Sequence, residues 1–458
     1  RSDEHFPLFF IDDEQSLSGQ IIGGLKVYNA EHALKRLERE TVDEILIALP
    51  SVGRTRKSEI IQFLEPAHIK ITEIPGLTKL VDGDIKVSDI REVDIIDLLG
   101  RDPVPPIPEL LAKNIQHKVV MVTGAGGSIG SELCRQIIKN NPQKLVIYEL
   151  SEFALYSIDK ELRLKSQIEI IPILGTVLDE AKLERVMEQY AIQTVYHAAA
   201  YKHVPLVECN PLAGLKNNAI GTAFSLNAAV KTGVETFVLI STDKAVRPTN
   251  VMGASKRMAE LYCQAMAEAQ DQTQISIVRF GNVLGSSGSV VPLFKQQIAK
   301  GGPITVTHPE VTRYFMTIPE ASQLVIQAGA LGQGGDVFLL DMGEPVRIQD
   351  LARQMIALSG LKVRETGSQE GDIEIQYSGL RPGEKLYEEL LIDADNTEVT
   401  QHSRILRSYE KMYPLDELLL VFERMHDLTA IQSDIDWALA QLEHYVDGYV
   451  RGKEVKVN

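Results

Sequence analysis

The sequence predicts an α/β fold built on a doubly wound parallel sheet with helices on both faces. Short apolar runs rich in β-branched residues alternate with helical stretches from Lys118 to about Leu391, a pattern typical of parallel strands buried on both faces. A glycine-rich turn follows the first run and an acidic residue ends the second, which is the order found at the start of such sheets. Hydrophobic residues at 44% and charged residues at 24% fit a folded globular chain.

Six strands are predicted in this region. They are Val119–Thr123, Lys144–Tyr148, Glu169–Ile173, Thr194–His197, Thr236–Ile240 and Ser276–Phe280. Helical stretches separate them, so consecutive strands can pair in parallel and a doubly wound sheet follows. Further along, the amphipathic segments Leu415–Met425 and Trp437–Tyr445 predict helices that pack onto the domain.

The length of 458 residues indicates more than one domain. Residues 103–116 begin with four prolines in six residues, which favours extended backbone, so we predict a linker there. We assign 1–102 to a partial α/β domain of unknown role, 117–392 to the main domain with a smaller substrate lobe, and 393–458 to a helical extension.

The N-terminal domain shows a strand–helix–strand rhythm. Its predicted elements are a strand over 7–11 that ends in an acidic tip, a helix over 30–41 and a strand over 45–49. The glycine-rich turn that normally precedes an acidic-tipped second strand is missing. We therefore expect residue 1 to lie inside a longer protein.

Composition excludes several classes of protein. The net charge of −16, from 47 basic and 63 acidic side chains, argues against a nucleic-acid-binding surface. The sequence contains no signal peptide and no apolar run of about 18 residues, so we expect no membrane contact within it. Cys134, Cys209 and Cys263 show no metal-ligand spacing and are too few for a disulfide framework, so we expect no metal and a reducing cytoplasm.

The glycine-rich turn lies between the first strand and a helix expected to begin near Ser131. Glycine permits a sharp turn and close approach to a pyrophosphate, which the N-terminus of the following helix then binds. Glu149 is placed to bond the adenosine ribose and to repel a 2′-phosphate, which favours NAD over NADP; the alternative is a solvated strand end. The predicted cofactor-binding residues of this Rossmann-type motif are Gly124, Gly126, Gly127, Ser128, Ile129, Gly130 and Glu149.

A second polar motif follows the fifth strand. Thr242, Asp243 and Lys244 come directly after that strand, and Met252 and Lys256 follow at a helix start. Ligands of open α/β sheets bind beyond the carboxyl ends of the strands, so we place these side chains beside the nicotinamide. The alternative is that Asp243 and Lys244 form an exposed ion pair of little energetic value.

These motifs resemble the extended short-chain dehydrogenases and, more narrowly, the UDP-N-acetylglucosamine 4,6-dehydratases of bacterial capsule, lipopolysaccharide and protein-glycosylation pathways. The resemblance covers roughly residues 117–392. Besides the two motifs above, it rests on His197–Pro205, Asn218–Thr222, Arg279–Val283, Thr312–Thr317 and Arg381–Lys385.

The resemblance implies further properties. Ala198, Ala199, Ala200 and Asn218 are expected to contact NAD. Members of the long branch carry an N-terminal transmembrane region, so the full-length protein is expected at the cytoplasmic face of the bacterial inner membrane, with this part soluble. Members of the wider family commonly pair through helices, which implies a homo-oligomer.

One position departs from the wider superfamily, because Met252 stands where a catalytic tyrosine is usual. A thioether is neither an acid nor a base at neutral pH. Either the domain is inactive or another group moves the proton. The long-branch dehydratases resemble this chain in having methionine there, which favours the second interpretation.

Dehydration needs a ketone at carbon 4, a base at carbon 5 and an acid for the 6-hydroxyl. We assign Thr242 to the contact with the 4-hydroxyl, with Asp243 as its proton relay. We also assign Asp243 as the acid for the 6-hydroxyl and Lys244 as the base at carbon 5. Lys244 must then be neutral, which requires a lowered pKa through burial or the nearby Lys256. Lys256 is expected to hold the nicotinamide ribose.

Substrate contacts are predicted from residue chemistry. Asn282, Arg313 and Arg381 are candidates for the diphosphate and uridine, since a guanidinium matches phosphate oxygens in a bidentate way; surface salt bridges are the alternative. Lys202 and His203 are placed at the edge of the sugar. Two other functions stay open, a nucleotide-sugar 4-epimerase and a non-catalytic NAD-binding sensor or scaffold.

Overall fold

The computed structural model describes residues 5–451 except 38, 50, 75–89, 94, 99–103, 366, 390–396 and 430. The chain forms two compact units. The first unit comprises Arg1–Asp102, Val290–Pro309 and Val346–Ser378, and the second unit comprises Pro103–Ser289, Glu310–Pro345 and Gly379–Asn458.

The boundary between the units bears on the predicted domains. It falls at the start of the predicted linker, of which residue 103 lies outside the described residues. Two segments that the sequence analysis assigned to the main domain, 290–309 and 346–378, group with the first unit instead. The roles of the domains stay predictions.

The second unit is built around a nine-stranded sheet. In chain order the strands are β1 (Val119–Thr123), β2 (Lys144–Glu149), β3 (Glu169–Leu174), β4 (Thr194–His197), β5 (Thr236–Ile240), β6 (Gln274–Arg279), β7 (Asp336–Leu340), β8 (Thr397–Val399) and β9 (Ile405–Ser408). Their order in space is β8-β9-β7-β6-β5-β4-β1-β2-β3, with β1 to β7 parallel and β8 and β9 antiparallel. The predicted α/β class and all six predicted strands are confirmed, with ends shifted by at most two residues.

Helices cover both faces of this sheet. They are α1 (Ser128–Ile137), α2 (Glu152–Lys165), α3 (Glu180–Tyr190), α4 (Gly221–Lys231), α5 (Val251–Ala269), α6 (Ile318–Leu331), α7 (Leu415–Asp427) and α8 (Gln432–Tyr445). Shorter helical segments lie at Pro108–Lys113, Val204–Cys209, Pro211–Leu215, Lys216–Ile220 and Asp243–Ala245. The unit also has short strands at Thr312–Arg313, Asn282–Val283 and Phe315–Met316, and the last two pair with each other. Successive residues of β1 point to opposite faces: Met121 joins one hydrophobic cluster, and Val120 and Val122 join the other. The buried strands therefore separate two cores, as a doubly wound sheet requires.

The C-terminal extension differs from the helical segment that we predicted. Helices α7 and α8 are present, but β8 and β9 also add two antiparallel strands to the edge of the sheet beside β7. Both helices pack against α5, where the rings of Tyr262 and Phe422 lie 4.6 Å apart. Because α5 is buried from Val251 to Ala265, much of its surface is covered by its own chain; the homo-oligomer stays a prediction.

The first unit contains small sheets. Its strands are Phe10–Ile11, Ile21–Ile22, Leu25–Tyr28, Glu44–Ile47, Lys70–Glu73, Arg91–Glu92, Ile304–Val306, Val346–Arg347, Val363–Arg364 and Ile373–Tyr377, and its helices are Ala30–Leu37, Arg54–Leu64, Ile95–Leu98, Val290–Ala299 and Ile348–Leu358. The two strands predicted over 7–11 and 45–49 lie in separate three-stranded sheets. The first pairs with Leu25–Tyr28, a strand that the sequence analysis missed. None of the helices in the described part of the chain has the length and apolar composition needed to cross a bilayer.

Candidate active site

The glycine-rich loop connects β1 to α1 at the carboxyl edge of the sheet, beside the point where the strand order reverses. Gly124 has a φ of +65°, and a Cβ there would lie 2.7 Å from the backbone of Ala199. A Cβ at Gly130 would lie 2.1 Å from the carbonyl oxygen of Gly124. Helix α1 begins at Ser128, three residues before the predicted start, and no side chain caps it. Glycine is thus required here, and the first-turn N–H groups are available to an anion.

Glu149 holds this loop in place. One carboxylate oxygen accepts a hydrogen bond from the backbone N–H of Gly126 at 2.9 Å, and the other accepts one from Ser151 N–H at 2.9 Å. The side chain is partly buried, so it is more than a solvated strand end. Its contact with a ribose stays a prediction.

The segment after β4 is fastened by Asn218. This buried amide accepts from Tyr201 N–H at 2.8 Å and donates to Tyr201 O at 3.0 Å and to Ser255 Oγ at 2.9 Å. In the same segment, Ala198 and Ala199 lie against Gly124. The Asn218 side chain thus positions the loop through protein contacts, a role that its spacing in the sequence did not reveal.

Asp243 and Lys244 form a buried pair beyond β5. One carboxylate oxygen of Asp243, whose side chain is 1% exposed, accepts from Thr242 Oγ1 at 2.8 Å and from Lys244 Nζ at 3.0 Å. The other oxygen has no hydrogen-bond partner among the described residues. Lys244 Nζ also donates to Asn282 Oδ1 at 3.1 Å. The alternative of an exposed ion pair is therefore wrong. Asn282, predicted to contact the diphosphate or uridine, instead lies beside Lys244, and its contact with a substrate stays a prediction.

The electrostatics of Lys244 differ from our expectation. Burial lowers the pKa of Lys244, but the negative charges of Asp243 and Glu388 outweigh it, so the pKa lies above its usual value. We expected a lowered pKa of Lys244, through burial or the nearby Lys256. The two carboxylates outweigh both burial and the opposing cation of Arg313, so Lys244 carries a proton in this arrangement.

Glu388 is the residue of this site that the sequence analysis missed. Its side chain is 4% exposed, and Oε1 lies 3.6 Å from Lys244 Nζ and 3.8 Å from Arg313 Nε. The second oxygen, Oε2, is buried and has no hydrogen-bond partner in the described portion of the chain. Glu388 follows the Arg381–Lys385 motif closely, and that motif was the only available signal.

The candidate substrate arginines differ in their surroundings. Arg313 is buried, donates to the carbonyl oxygens of Thr312 and Leu386 at 2.7 and 3.3 Å, and pairs with Glu384 at 3.2 Å. The salt-bridge alternative describes these contacts, though the pair is buried rather than on the surface. Arg381 is exposed, and its guanidinium makes no hydrogen bond or ion pair to the residues described. It remains available to a phosphate.

Two further candidates, Lys202 and His203, lie in the segment after β4. Lys202 and His203 are both exposed. The His203 imidazole packs against Gly288, where a Cβ would lie 2.6 Å from Cε1. Their contact with the sugar stays a prediction.

Helix α5 presents Met252 and Lys256. The side chain of Asn250 caps the helix by accepting from Gly253 N–H at 2.8 Å. Both Met252 and Lys256 are buried, and burial lowers the pKa of Lys256 to about 8. Lys256 Nζ has no hydrogen bond or ion pair within the described ranges, so this amine has a donor to offer to a ligand.

Below the site lies a buried network of four charges, defined by Arg257, Glu260, Arg279 and Glu410. Arg279 pairs with both carboxylates, as does Arg257. Ser241 Oγ, one residue before Thr242, donates to Glu260 at 2.6 Å. Burial raises the pKa of Glu260, but the two arginines outweigh it and hold this pKa at about 2. The network thus supports the strand end that carries the polar motif.

Sequence comparison identifies related proteins. The profile of a family described as "Polysaccharide biosynthesis protein" matches residues 120–410. The chain is 45% identical over 421 residues to the capsular polysaccharide biosynthesis protein CapD of Staphylococcus aureus, covering 91% of this chain and 69% of CapD. It is 46% identical over 388 residues to the probable polysaccharide biosynthesis protein EpsC of Bacillus subtilis, covering 84% and 64%. The chain therefore spans about two thirds of the length of these relatives.

Other matches include an epimerase and two solved structures. A UDP-glucose 4-epimerase of Rickettsia canadensis is 33% identical over 285 residues, covering 61% of this chain and 79% of the epimerase. The structure of Pen from Bacillus thuringiensis is 29% identical with a TM-score of 0.58, covering 69% and 100%. DesIV, a dTDP-glucose 4,6-dehydratase of Streptomyces venezuelae solved with NAD and TYD bound, shares the fold at 19% identity and a TM-score of 0.52, covering 59% and 88%.

Proposed function

Because this chain belongs to the polysaccharide biosynthesis protein family, we propose that it is a nucleotide-sugar 4,6-dehydratase acting in bacterial surface polysaccharide or glycoprotein synthesis. Its substrate is UDP-N-acetylglucosamine, its cofactor is NAD and its product is a UDP-4-keto-6-deoxy sugar. The observation that carries the proposal is the buried Asp243–Lys244 pair beyond β5, with Thr242 on the same carboxylate oxygen. An acid and a base side by side are what removal of water across carbons 5 and 6 requires.

The residues present fit NAD. The cradle of Gly124 and Gly130 leaves no room for a Cβ, and the start of α1 has no side-chain cap. Lys256 offers a buried amine without a hydrogen-bond partner among the described residues, as a ribose hydroxyl would need. DesIV, which shares this fold, has NAD bound.

The chain's own side chains then divide the proton transfers among themselves. Bound NAD would supply the acceptor and then the donor for the hydride that moves from carbon 4 to carbon 6 of the sugar. Thr242 passes the 4-hydroxyl proton to Asp243 along their 2.8 Å hydrogen bond. Asp243 delivers this proton to the departing 6-hydroxyl, and Lys244 removes the proton of carbon 5. Met252 takes no part, since Thr242 and Asp243 do the work of the missing tyrosine.

A 4-epimerase is the second candidate, favoured by the 33% identity to the Rickettsia enzyme. Epimerisation uses the same hydride transfer but needs no acid and base at carbons 5 and 6. The buried Asp243–Lys244 pair therefore supports the dehydratase.

Mass spectrometry of the product distinguishes these functions. Incubated with UDP-N-acetylglucosamine, the NAD-loaded protein is expected to yield a sugar lighter by one water molecule. An epimerised sugar of unchanged mass would establish the epimerase instead. No change at all would point to a non-catalytic NAD-binding protein.

Replacing Glu149 with glutamine is expected to weaken the preference for NAD over NADP about tenfold, which corresponds to about 1.4 kcal/mol. Glutamine keeps an acceptor for the Gly126 N–H but removes the charge that repels a 2′-phosphate. The measurement is the ratio of the two dissociation constants. Glu152→Gln on the exposed first turn of α2 is the control, and an equal ratio in both variants would remove Glu149 from cofactor selection.

Gly253→Ala is expected to lower the dehydration rate about 100-fold, the order of loss that misplacement of a catalytic group by about 1 Å produces. A Cβ at this position would lie 2.1 Å from the carbonyl oxygen of Lys244, so the catalytic turn has to move. NAD affinity should remain, because Gly253 is remote from the glycine-rich loop in sequence and contact. Alanine normally stabilises a helix interior relative to glycine, so full activity with a raised melting temperature would show that the contact is relieved without cost.

A further inference from the structure

Two carboxylates, those of Asp243 and Glu388, lie close to the amine of Lys244, and the proposed reaction uses Asp243 alone. Lys244 Nζ lies 3.0 Å from Oδ1 of Asp243 and 3.6 Å from Oε1 of Glu388. Asp243 also accepts the hydroxyl of Thr242, and both Oδ2 of Asp243 and Oε2 of Glu388 are buried without a hydrogen-bond partner among the residues that the structure describes. Glu388 is therefore a second carboxylate near Lys244 that can accept a proton, and its Oε1 is the oxygen that pairs with Nζ.

The proposed reaction leaves one proton unaccounted for. Lys244 rests as an ammonium, because the two carboxylates raise its pKa against the effect of burial, and an ammonium cannot take the proton of carbon 5. Asp243 cannot accept the ammonium proton of Lys244, because Asp243 receives the 4-hydroxyl proton and must keep that proton for the 6-hydroxyl. An acceptor other than Asp243 is needed.

Four groups face Lys244, and their chemistry decides which of them can accept its Nζ proton. They are Asp243, Glu388, the neutral amide of Asn282 and the cation of Arg313. Arg313 donates but cannot accept a proton, and its charge is balanced by Glu384 at 3.2 Å. Glu388 is the remaining acceptor.

Resting on the proposed dehydratase function, we propose that Glu388 is a positioning residue that takes the Nζ proton of Lys244 before elimination and returns it afterwards. Lys244, then neutral, removes the proton of carbon 5 while Asp243 protonates the leaving 6-hydroxyl. Lys244 later gives its new proton back to carbon 5, and Glu388 restores the ammonium. The 4-hydroxyl proton leaves in the water molecule, so every proton is accounted for and the enzyme returns to its starting state.

The site's geometry and charge balance favour such a transfer. It converts a buried ion pair into a neutral pair without changing the net charge, which becomes less costly once a bound sugar excludes water. The two groups must approach by about 0.5 Å to reach hydrogen-bond distance. The flexible lysine side chain can supply this movement.

Glu388→Gln tests the proposal, because glutamine keeps the size of the side chain but cannot accept the proton. Single-turnover reactions follow two steps, reduction of bound NAD by absorbance and loss of water by mass, from about pH 6 to about pH 9, because the neutral fraction of Lys244 grows as the pH rises. Cofactor reduction is expected to persist and to accumulate. Water loss should fall about 100-fold at neutral pH and recover toward alkaline pH, where Lys244 releases its proton to solvent.

Two matched variants complete the test. Glu384→Gln removes a carboxylate that pairs with Arg313 but not with Lys244, so the pH profile of water loss should keep its shape. Glu388→Asp retains an acceptor and should recover part of the rate at neutral pH.

Three outcomes would overturn the proposal. Equal loss of both steps in Glu388→Gln would indicate a purely structural role. Faster water loss at lower pH would mean that Glu388 only keeps Lys244 charged. If the unaltered protein itself releases no water, the dehydratase function fails first, whereas normal water loss combined with an unaffected Glu388→Gln variant removes only Glu388.

Discussion

Replacing Lys244 with alanine is expected to lower the rate of water loss from UDP-N-acetylglucosamine by about 10² to 10⁴-fold, the usual contribution of a general base. The variant loses the Nζ contacts to Asp243 at 3.0 Å and to Asn282 at 3.1 Å, and no other amine contacts Asp243 in the described residues. The fold should remain, because Lys244 lies on a turn outside the two hydrophobic cores. Thr242 and Asp243 are retained, so bound NAD should still be reduced by the hydride from carbon 4 of the sugar.

The measurement combines product mass with the absorbance of the reduced cofactor. Lys160→Ala, on the exposed surface of α2, is the control and should turn over normally. Retained water loss in Lys244→Ala would remove Lys244 from the mechanism.

The second large effect concerns stability. Glu260→Gln is expected to lower the free energy of unfolding by about 3 to 5 kcal/mol, because it leaves Arg257 and Arg279 buried with a single remaining carboxylate, Glu410. Denaturant unfolding measures the loss. Glu169→Gln, which breaks the exposed pair with Lys144, should cost less than about 1 kcal/mol.

The pH dependence of this effect has a definite sign. The network holds the pKa of Glu260 at about 2, below its ordinary value of 4.5. The carboxylate's contribution is therefore complete above pH 4.5 and is lost as the pH falls through about 2. Stability of the unaltered protein should decline across this window more steeply than that of Glu260→Gln. Parallel curves would show that Glu260 is not ionised in the network.

The sequence predicted the central sheet well and its edge poorly. Strands such as β1 and β5 are buried on both faces, so each is a continuous apolar run that composition alone identifies. Strands β8 and β9 are three and four residues long and pair antiparallel at the edge, so their short stretches carry little pattern. The grouping of segment 346–378 with the first unit depends on long-range packing that no local pattern records.

In the candidate site, too, local motifs predicted some features, whereas features set by long-range contacts could not be predicted. Motif position identified Asp243 and Lys244, because the carboxyl end of a central parallel strand is where ligands bind. The charge state of Lys244 could not be predicted, since it depends on Glu388, a residue from a distant part of the sequence. The contacts of Arg313 with Glu384 and with backbone carbonyls were hidden for the same reason.

The most direct test of the account uses UDP-N-acetylglucosamine labelled with deuterium at carbon 4. An internal hydride cycle predicts a product that has lost water and carries the deuterium at carbon 6 of the same molecule. Deuterium that is released to solvent, or that stays at carbon 4 of a sugar with its 6-hydroxyl intact, would contradict it.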